Sequence, residues 1–285
     1  MSTRRDSTSS QSGDEGGFGL GELMPRSPSP EPIPFSYAGY ELPEALGFVA
    51  ADGGRDVSIR LVGSHPLWGH HLWNTARVTT TYLLTHAATL LRGKRILELG
   101  AGGALPSVAG ALAGASCVVA TDYADDALMD NIAANFERNV PAAALPRTLA
   151  LGHTWGHDVG PLLAAAVGGE APSDGRYDLV ILSDLMFNHS QHDALIKTLD
   201  ATLSLERGTP TAEGAQPQTP CALVFLTHHR PRLADADMAF FPRLAASGAW
   251  GYERVVEEYT GPMFDNDPGD ERVRGTVHGF RCWRL

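Results

Sequence analysis

The sequence predicts an α/β fold: a doubly wound, mostly parallel sheet with an antiparallel C-terminal strand. Three observations carry this. Short, nearly unbroken apolar runs alternate with stretches of helical periodicity. Two of these runs, 117–122 and 177–184, end in carboxylates, Asp122 and Asp184. A glycine turn, Gly100-Ala101-Gly102-Gly103, joins a third run to the helix-like segment after it. Runs without a polar face suit strands covered by helices on both sides.

Residues 1–35 are rich in Ser, Gly and Pro, with five prolines between Pro25 and Pro34, and cannot bury enough apolar surface to offset the entropy of ordering. They are expected to form a disordered tail ahead of a single domain over 36–285. Residues 57–62 alternate apolar and polar side chains, as a half-buried strand does. Leu72, Trp73, Ala76, Thr80, Leu83, Leu84, Ala87 and Leu91 recur at helical spacing, which predicts one helix leading into the first main strand. That strand, 96–99, passes through the glycine turn into a helix over 105–113. Strand 117–122 follows, then a helix over 125–136 with acids in its first turn, favourable to its dipole. Strand 147–151 runs into His153-Thr-Trp155-Gly156. A loop over 168–176 delivers the chain to strand 177–184. Ser190 and Asp193 have capping-box spacing, so Ser190 is expected to start the next helix. A low-complexity insertion at 206–220 precedes strand 221–227. A helix over 232–247 and strands 252–259 and 273–285 close the chain.

In such a sheet a ligand sits at the carboxyl ends of the strands, where Gly100, Asp122, Trp155, Ser183 and Asp184 all fall. Glycines let the backbone bend sharply and let a ligand approach the main chain. Asp122 lies 22 residues after Gly100, where an acid can accept ribose hydroxyls. A dinucleotide fingerprint places a further glycine where this chain has Leu105, which weakens that reading. Glu98 is awkward beside a pyrophosphate and useful beside a cationic amino-acid ligand. A βαβ crossover without any ligand is the structural alternative.

Thirty-three acidic against 22 basic residues give a formal charge of −11, which repels nucleic-acid phosphates and tolerates cationic partners. No window approaches 18 uninterrupted apolar residues, so no membrane span is expected. Cys117, Cys221 and Cys282 are widely separated and are expected to be reduced core residues of a cytoplasmic protein, with no charged-then-apolar leader at the start. Histidines 189, 192, 228 and 229 offer no set of three ligands by spacing, and no metal is expected. The loop Asp265-x-Asp267-x-x-Asp270 lacks the glycine and distal Glu of a calcium site and suits a solvated loop or a contact for a basic segment.

Several stretches together carry a family resemblance: 66–74 (PLWGHHLWN), 97–102 (LELGAG), 121–123 (TDY), 154–156 (TWG), 183–190 (SDLMFNHS), 227–231 (THHRP) and 276–279 (TVHG). They resemble the lysine methyltransferases sometimes called family 16. Within that group the match is to the fungal enzymes that methylate the N-terminal amine and a lysine of elongation factor 1-alpha, once labelled nicotinamide N-methyltransferases. The resemblance covers roughly residues 35–285 without the 206–220 insertion. It implies a seven-strand Rossmann-like methyltransferase using S-adenosylmethionine. By the same resemblance Gly100, Ala101 and Gly102 line the methionine end of the cofactor. Glu98 stands beside them, Asp122 holds the ribose, Trp155 and Ser183 flank the adenine, and Trp73 sits at the pocket mouth. Trp68, five residues earlier, is the other tryptophan that matches that position. The motif after the fourth strand is Asp184-Leu-Met-Phe187, which makes Asp184 and Phe187 the catalytic candidates.

A sulfonium methyl is already activated, so such an enzyme must align a neutral amine behind it. An α-amine, with a pKa of about 7.7–8, supplies the neutral form far more readily than a lysine at about 10.4. Asp184 would orient the amine and accept its proton, directly or through water, although a carboxylate also stabilises the ammonium form. Phe187, with Trp68 or Trp73, would face the growing methylammonium through cation–π attraction. Two other functions compete: methylation of a small pyridine-type acceptor, and a cofactor-binding scaffold without turnover.

Overall fold

The computed structural model describes residues 35–63, 69–166 and 174–285. Nearly all of the expected tail, Trp68, and most of the expected 168–176 loop lie outside the described residues.

The described chain opens with a strand pair that the sequence showed only in half. β1 (Ser36–Glu41) pairs antiparallel with β2 (Asp56–Leu61) in a two-stranded sheet of its own. Next come α1 (Asn74–Thr85), α2 (Ala87–Leu90), β3 (Arg95–Leu99), α3 (Leu105–Leu112), β4 (Cys117–Asp122) and α4 (Asp126–Asn139). After β5 (Thr148–Gly152) and α5 (Gly160–Ala165) come β6 (Leu179–Ser183), α6 (His192–Thr202) and β7 (Cys221–Thr227). The short α7 (Ala234–Met238) and α8 (Phe240–Ala245), then β8 (Trp250–Tyr259), α9 (Glu271–Arg274) and β9 (Thr276–Arg284) complete the order. Strands β3 to β9 form one seven-stranded sheet in the order β5-β4-β3-β6-β7-β9-β8. β3 is parallel to both β4 and β6, so the order reverses at β3, the switch point where open α/β sheets take ligands. β9 alone runs against the rest, antiparallel to β7 and β8. This is the fold class the sequence predicted.

Alternate residues of the central strands separate cleanly onto two faces. Ile96, Val118, Ala120, Ile181 and Leu223 pack with Leu83, Leu84, Val108 and Phe136 of α1, α3 and α4. Leu97, Val119, Val180, Leu182 and Val224 pack with Leu162, Leu195, Leu199 and Phe240 of α5, α6 and α8. Each Val, Leu, Ile or Phe side chain so removed from water stabilises the fold by roughly 1.5–3 kcal/mol. Helix caps add little here: of the six longest helices among the described residues only α4 has a side-chain cap, Asp125, which accepts from the amides of Ala127 and Leu128.

β2 would expose one backbone edge if β1 were its only partner. α4 covers that edge with asparagines one turn apart. Asn139 accepts from Ser58 N and donates to Ser58 O; Asn135 does the same for Arg60 and also donates to Gly103 O. Asn131 adds a bond to Arg60 O. Ile59 presses on the glycine turn so closely that a Cβ on Gly103 would lie 2.5 Å from its Cγ2.

Three helical expectations need correction. The predicted single helix over 72–91 breaks at His86 into α1 and α2, although the buried positions Leu83, Leu84, Ala87 and Leu90 continue through the break. The segment 232–247 is a 3-10 turn (Pro231–Leu233) followed by two short helices, not one. Ser190 does not cap α6: its hydroxyl donates to Asn188 Oδ1, a 3-10 turn intervenes, and the N-cap is Gln191 without a side-chain bond. The 206–220 insertion lies on β8 and β9. The buried Arg281 guanidinium donates to the carbonyls of Thr209 and Gln218, and Glu253 accepts from Thr211.

Candidate active site

The glycine turn leaves β3 with Gly100 at φ +62° and Gly102 at φ +52°. A Cβ on Gly100 would stand 2.6 Å from Leu185 and 3.1 Å from the Trp155 ring, so only glycine fits there. A Cβ on Gly102 would meet nothing within 4 Å, which leaves its main chain open to approach. Ala101 N–H donates to Thr121 O (2.8 Å), and Gly102 N–H donates to Asp122 Oδ2 (2.8 Å). Tyr123 N–H reaches the other oxygen, Oδ1 (2.7 Å). The turn and the strand-end acid, paired by spacing alone in the sequence, are thus bonded to each other. A carboxylate has about four acceptor positions, and each of these amides takes one.

Glu98 lies behind the turn. Only 1% exposed, its Oε2 accepts from the Ser107 amide (3.0 Å) and hydroxyl in the first turn of α3. Burial pushes its carboxyl up to about 8, against the lowering effect of the two Ser107 bonds. It therefore acts on any ligand through the turn and not by opening onto the cleft. It also fills a helix N-terminal position that would receive a pyrophosphate in a dinucleotide site.

A second constellation forms at the ends of β6 and β7. Asp184 holds φ +61°, its amide donates to Phe225 O (2.8 Å), and its Oδ1 accepts from Thr227 N (3.3 Å). Its Oδ2 accepts from His229 Nε2 at 2.9 Å. Asp184, Trp73, Phe187, Phe264, His229 and Asp267 line a cavity of about 370 Å³, large enough for a small ligand or a side-chain terminus. The Trp73 ring lies 4.9 Å from His229 and 6.0 Å from Phe264. At the back of the cavity Asp237 accepts from His189 Nε2 and His228 Nδ1, both at 2.7 Å. Among the described residues no group of three or more His, Cys, Asp or Glu is arranged to hold a metal ion.

The residues singled out from sequence therefore fall into two neighbouring groups. Gly100, Ala101, Gly102, Asp122 and Trp155 surround the turn, while Trp73, Asp184 and Phe187 line the cavity. The chain passes directly from one to the other, because Asp184 lines the cavity and the next residue, Leu185, packs over Gly100. Ser183 turns to the α1 side, 3.5 Å from Thr79 Oγ1, whereas Trp155 packs with the opposite cluster. His229, Phe264 and Asp267 were not assigned to the cavity from sequence. The one available signal was that His228 and His229 follow the strand next to the one that ends at Asp184.

A family model described as "Lysine methyltransferase" matches residues 63–211, just over half the chain. The protein N-terminal and lysine N-methyltransferase EFM7 of Cryptococcus neoformans var. neoformans serotype D (strain JEC21) is 53% identical over 283 residues, 98% of this chain and 92% of that protein. The chain belongs to this lysine methyltransferase family. The Schizosaccharomyces pombe relative of the same name is 39% identical, with 82% of this chain and 84% of that one covered. Among solved structures, the O-methyltransferase from Bacillus cereus in complex with SAH superposes with a TM-score of 0.46 at 16% identity, covering 77% of this chain and 84% of that one. As a lysine methyltransferase family member the chain is a methyltransferase that uses S-adenosylmethionine. Its own residues fit that cofactor: an open glycine main chain, a strand-end carboxylate tied to it, and a helix start closed to phosphate by Glu98.

Proposed function

We propose that this methyltransferase modifies the N-terminal α-amine and the adjacent lysine of elongation factor 1-alpha, in the cytoplasm. The observation that carries the reading is the acid-and-aromatic cavity set directly against the glycine turn. S-adenosylmethionine supplies an activated methyl group. The protein's task is then to bring an amine to it dry, oriented and neutral. Asp184 accepts an amine N–H and points the lone pair. Trp73, Phe187 and Phe264 exclude water and favour the methylated cation by cation–π attraction, which suits repeated transfer. Gly100, Ala101, Gly102 and Asp122 hold the cofactor's methionine and ribose ends, with Glu98 supporting the turn and Trp155 and Ser183 reaching the adenine from the two faces of the sheet. The acidic Asp267 and a chain charge of −11 suit a basic protein segment and disfavour nucleic acid. Three buried free cysteines suit a reducing compartment.

The test is mass spectrometry of elongation factor 1-alpha after incubation with enzyme and cofactor, with nicotinamide as competitor. Methyl groups on the terminal residue and the neighbouring lysine, undiminished by nicotinamide, are expected. No mass gain on the protein would reject the assignment, and methylated nicotinamide would move it to small-molecule acceptors.

A further inference from the structure

We infer that His229 is a positioning residue for methyl transfer: it clamps Asp184 and offsets its charge, so that the cavity takes its acceptor as a neutral amine. The inference rests on the proposed amine-acceptor role of this cavity and names a residue that makes the role workable.

A carboxylate can only accept, so the 2.9 Å contact requires a proton on His229 Nε2. The same Asp184 oxygen, Oδ2, is thereby fixed, while Oδ1 is held by the Thr227 amide, and the carboxylate plane cannot rotate. The difficulty with Asp184 alone is electrostatic. A bare carboxylate about 4 Å from an amine favours the ammonium form by on the order of a thousandfold at an effective dielectric of about 20. An ammonium has no lone pair to attack with. An imidazolium on the far side of the same carboxylate turns that charge into a short dipole, whose pull on the amine is far weaker, while the hydrogen bond that orients the amine survives.

The surroundings favour the charged imidazole. Burial, the largest single effect, lowers the His229 pKa, but the charge and hydrogen bond of Asp184 together with the charges of Asp237 and Asp267 outweigh it, and the net direction is upward. The other charged or titratable groups lining the cavity are His189 and Arg230. His189 is bonded to Asp237, and the Trp73 ring lies 4.9 Å from His229 at 59°. A cation against an aromatic ring gains further stabilisation.

The test uses the full chain with Asp184→Asn, His229→Gln and His229→Ala. First, imidazole NMR without substrate: the His229 midpoint is expected above about 6.5 in the wild type and lower in Asp184→Asn. A wild-type midpoint that lies below the rising limb of the kcat profile, where the imidazole would already be neutral, overturns the proposal. Second, the pH profile of kcat on an amine-terminated basic peptide. Glutamine keeps a donor but not the charge, so His229→Gln is expected to shift the rising limb upward by a pH unit or more, with the rate recovering at high pH. His229→Ala is expected to lose rate at every pH as well, because the clamp is gone. A His229→Gln profile with an unmoved midpoint, or a uniform loss, overturns the proposal even if Asp184→Asn abolishes transfer, which isolates this failure from that of the cavity reading. Full activity in Asp184→Asn, or no amine methylation by the wild type, sinks both. Calorimetric binding of S-adenosylmethionine by each variant shows that the fold is intact.

Discussion

Ala104 and Asp184 are the two non-glycine residues with left-handed backbone among those described, and both border the site. Each such residue costs roughly 1–2 kcal/mol, and asparagine tolerates the conformation as well as aspartate does. Asp184→Asn therefore keeps the backbone, but its amide turns a donor toward Thr227 N or His229 Nε2, so a loss of about 1–3 kcal/mol in urea is expected, together with a kcat lower by about 10²–10⁴-fold, the range of positioned acid–base groups. An unchanged rate would remove Asp184 from the chemistry. Glu98 gives a different prediction, in stability. Its folded pKa is raised from 4.5 to about 8 by burial, so the folded state keeps a proton that the unfolded chain releases. Its stabilising contribution is complete below about 4.5 and is lost as pH rises toward about 8. Glu98→Gln, which still accepts from Ser107, should match the wild type in urea at pH 5 and exceed it by a few kcal/mol at pH 8. Equal stability at both pH values would mean that the carboxyl is not held neutral.

The pairing of β2 with α4 is the element on which the glycine turn leans. Asn135→Ala would strand the Arg60 amide and the Gly103 carbonyl at once, while the Arg60 carbonyl keeps Asn131. An unmade buried bond costs about 1–3 kcal/mol, and a loss in that range in urea, with weaker calorimetric binding of S-adenosylmethionine, is expected. Unchanged cofactor affinity at reduced stability would show that the strand pair supports the fold without supporting the turn. The sequence announced this pairing only in part. β4 and β7 matched their apolar runs, 117–122 and 221–227, residue for residue, because a strand buried on both faces leaves an unbroken signal. β1 left none, since only Tyr40 of its six residues is buried. Periodicity also carried straight through His86, because buried side chains keep their spacing where the backbone ladder does not. The site behaved in the same way. Residues next to strand ends, Gly100, Asp122 and Asp184, were legible from local pattern. Phe264 and Asp267 come from a loop about 80 residues beyond Asp184, and nothing local ties them to it.

At the scale of the whole molecule, charge and shape converge on one opening. The chain carries −11, and the 263–271 loop, with Asp265, Asp267, Asp270 and Glu271, borders the cavity through Phe264 and Asp267. No helix among the described residues is long and apolar enough to cross a membrane. A basic segment approaching such a surface is attracted over about a Debye length, near 10 Å at 0.1 M salt and about 3 Å at 1 M. Raising salt from about 0.05 to 0.5 M should therefore lower kcat/KM for a basic amine-terminated peptide several-fold, through KM, because steering is an encounter effect that salt screens. The same change should leave a neutral-sequence peptide nearly untouched, since its amine meets the same cavity without the long-range pull. Asp267→Asn should flatten the salt slope for the basic peptide. If both peptides respond alike to salt, the acidic rim is a solubilising surface, and selection of the substrate must lie in the cavity walls.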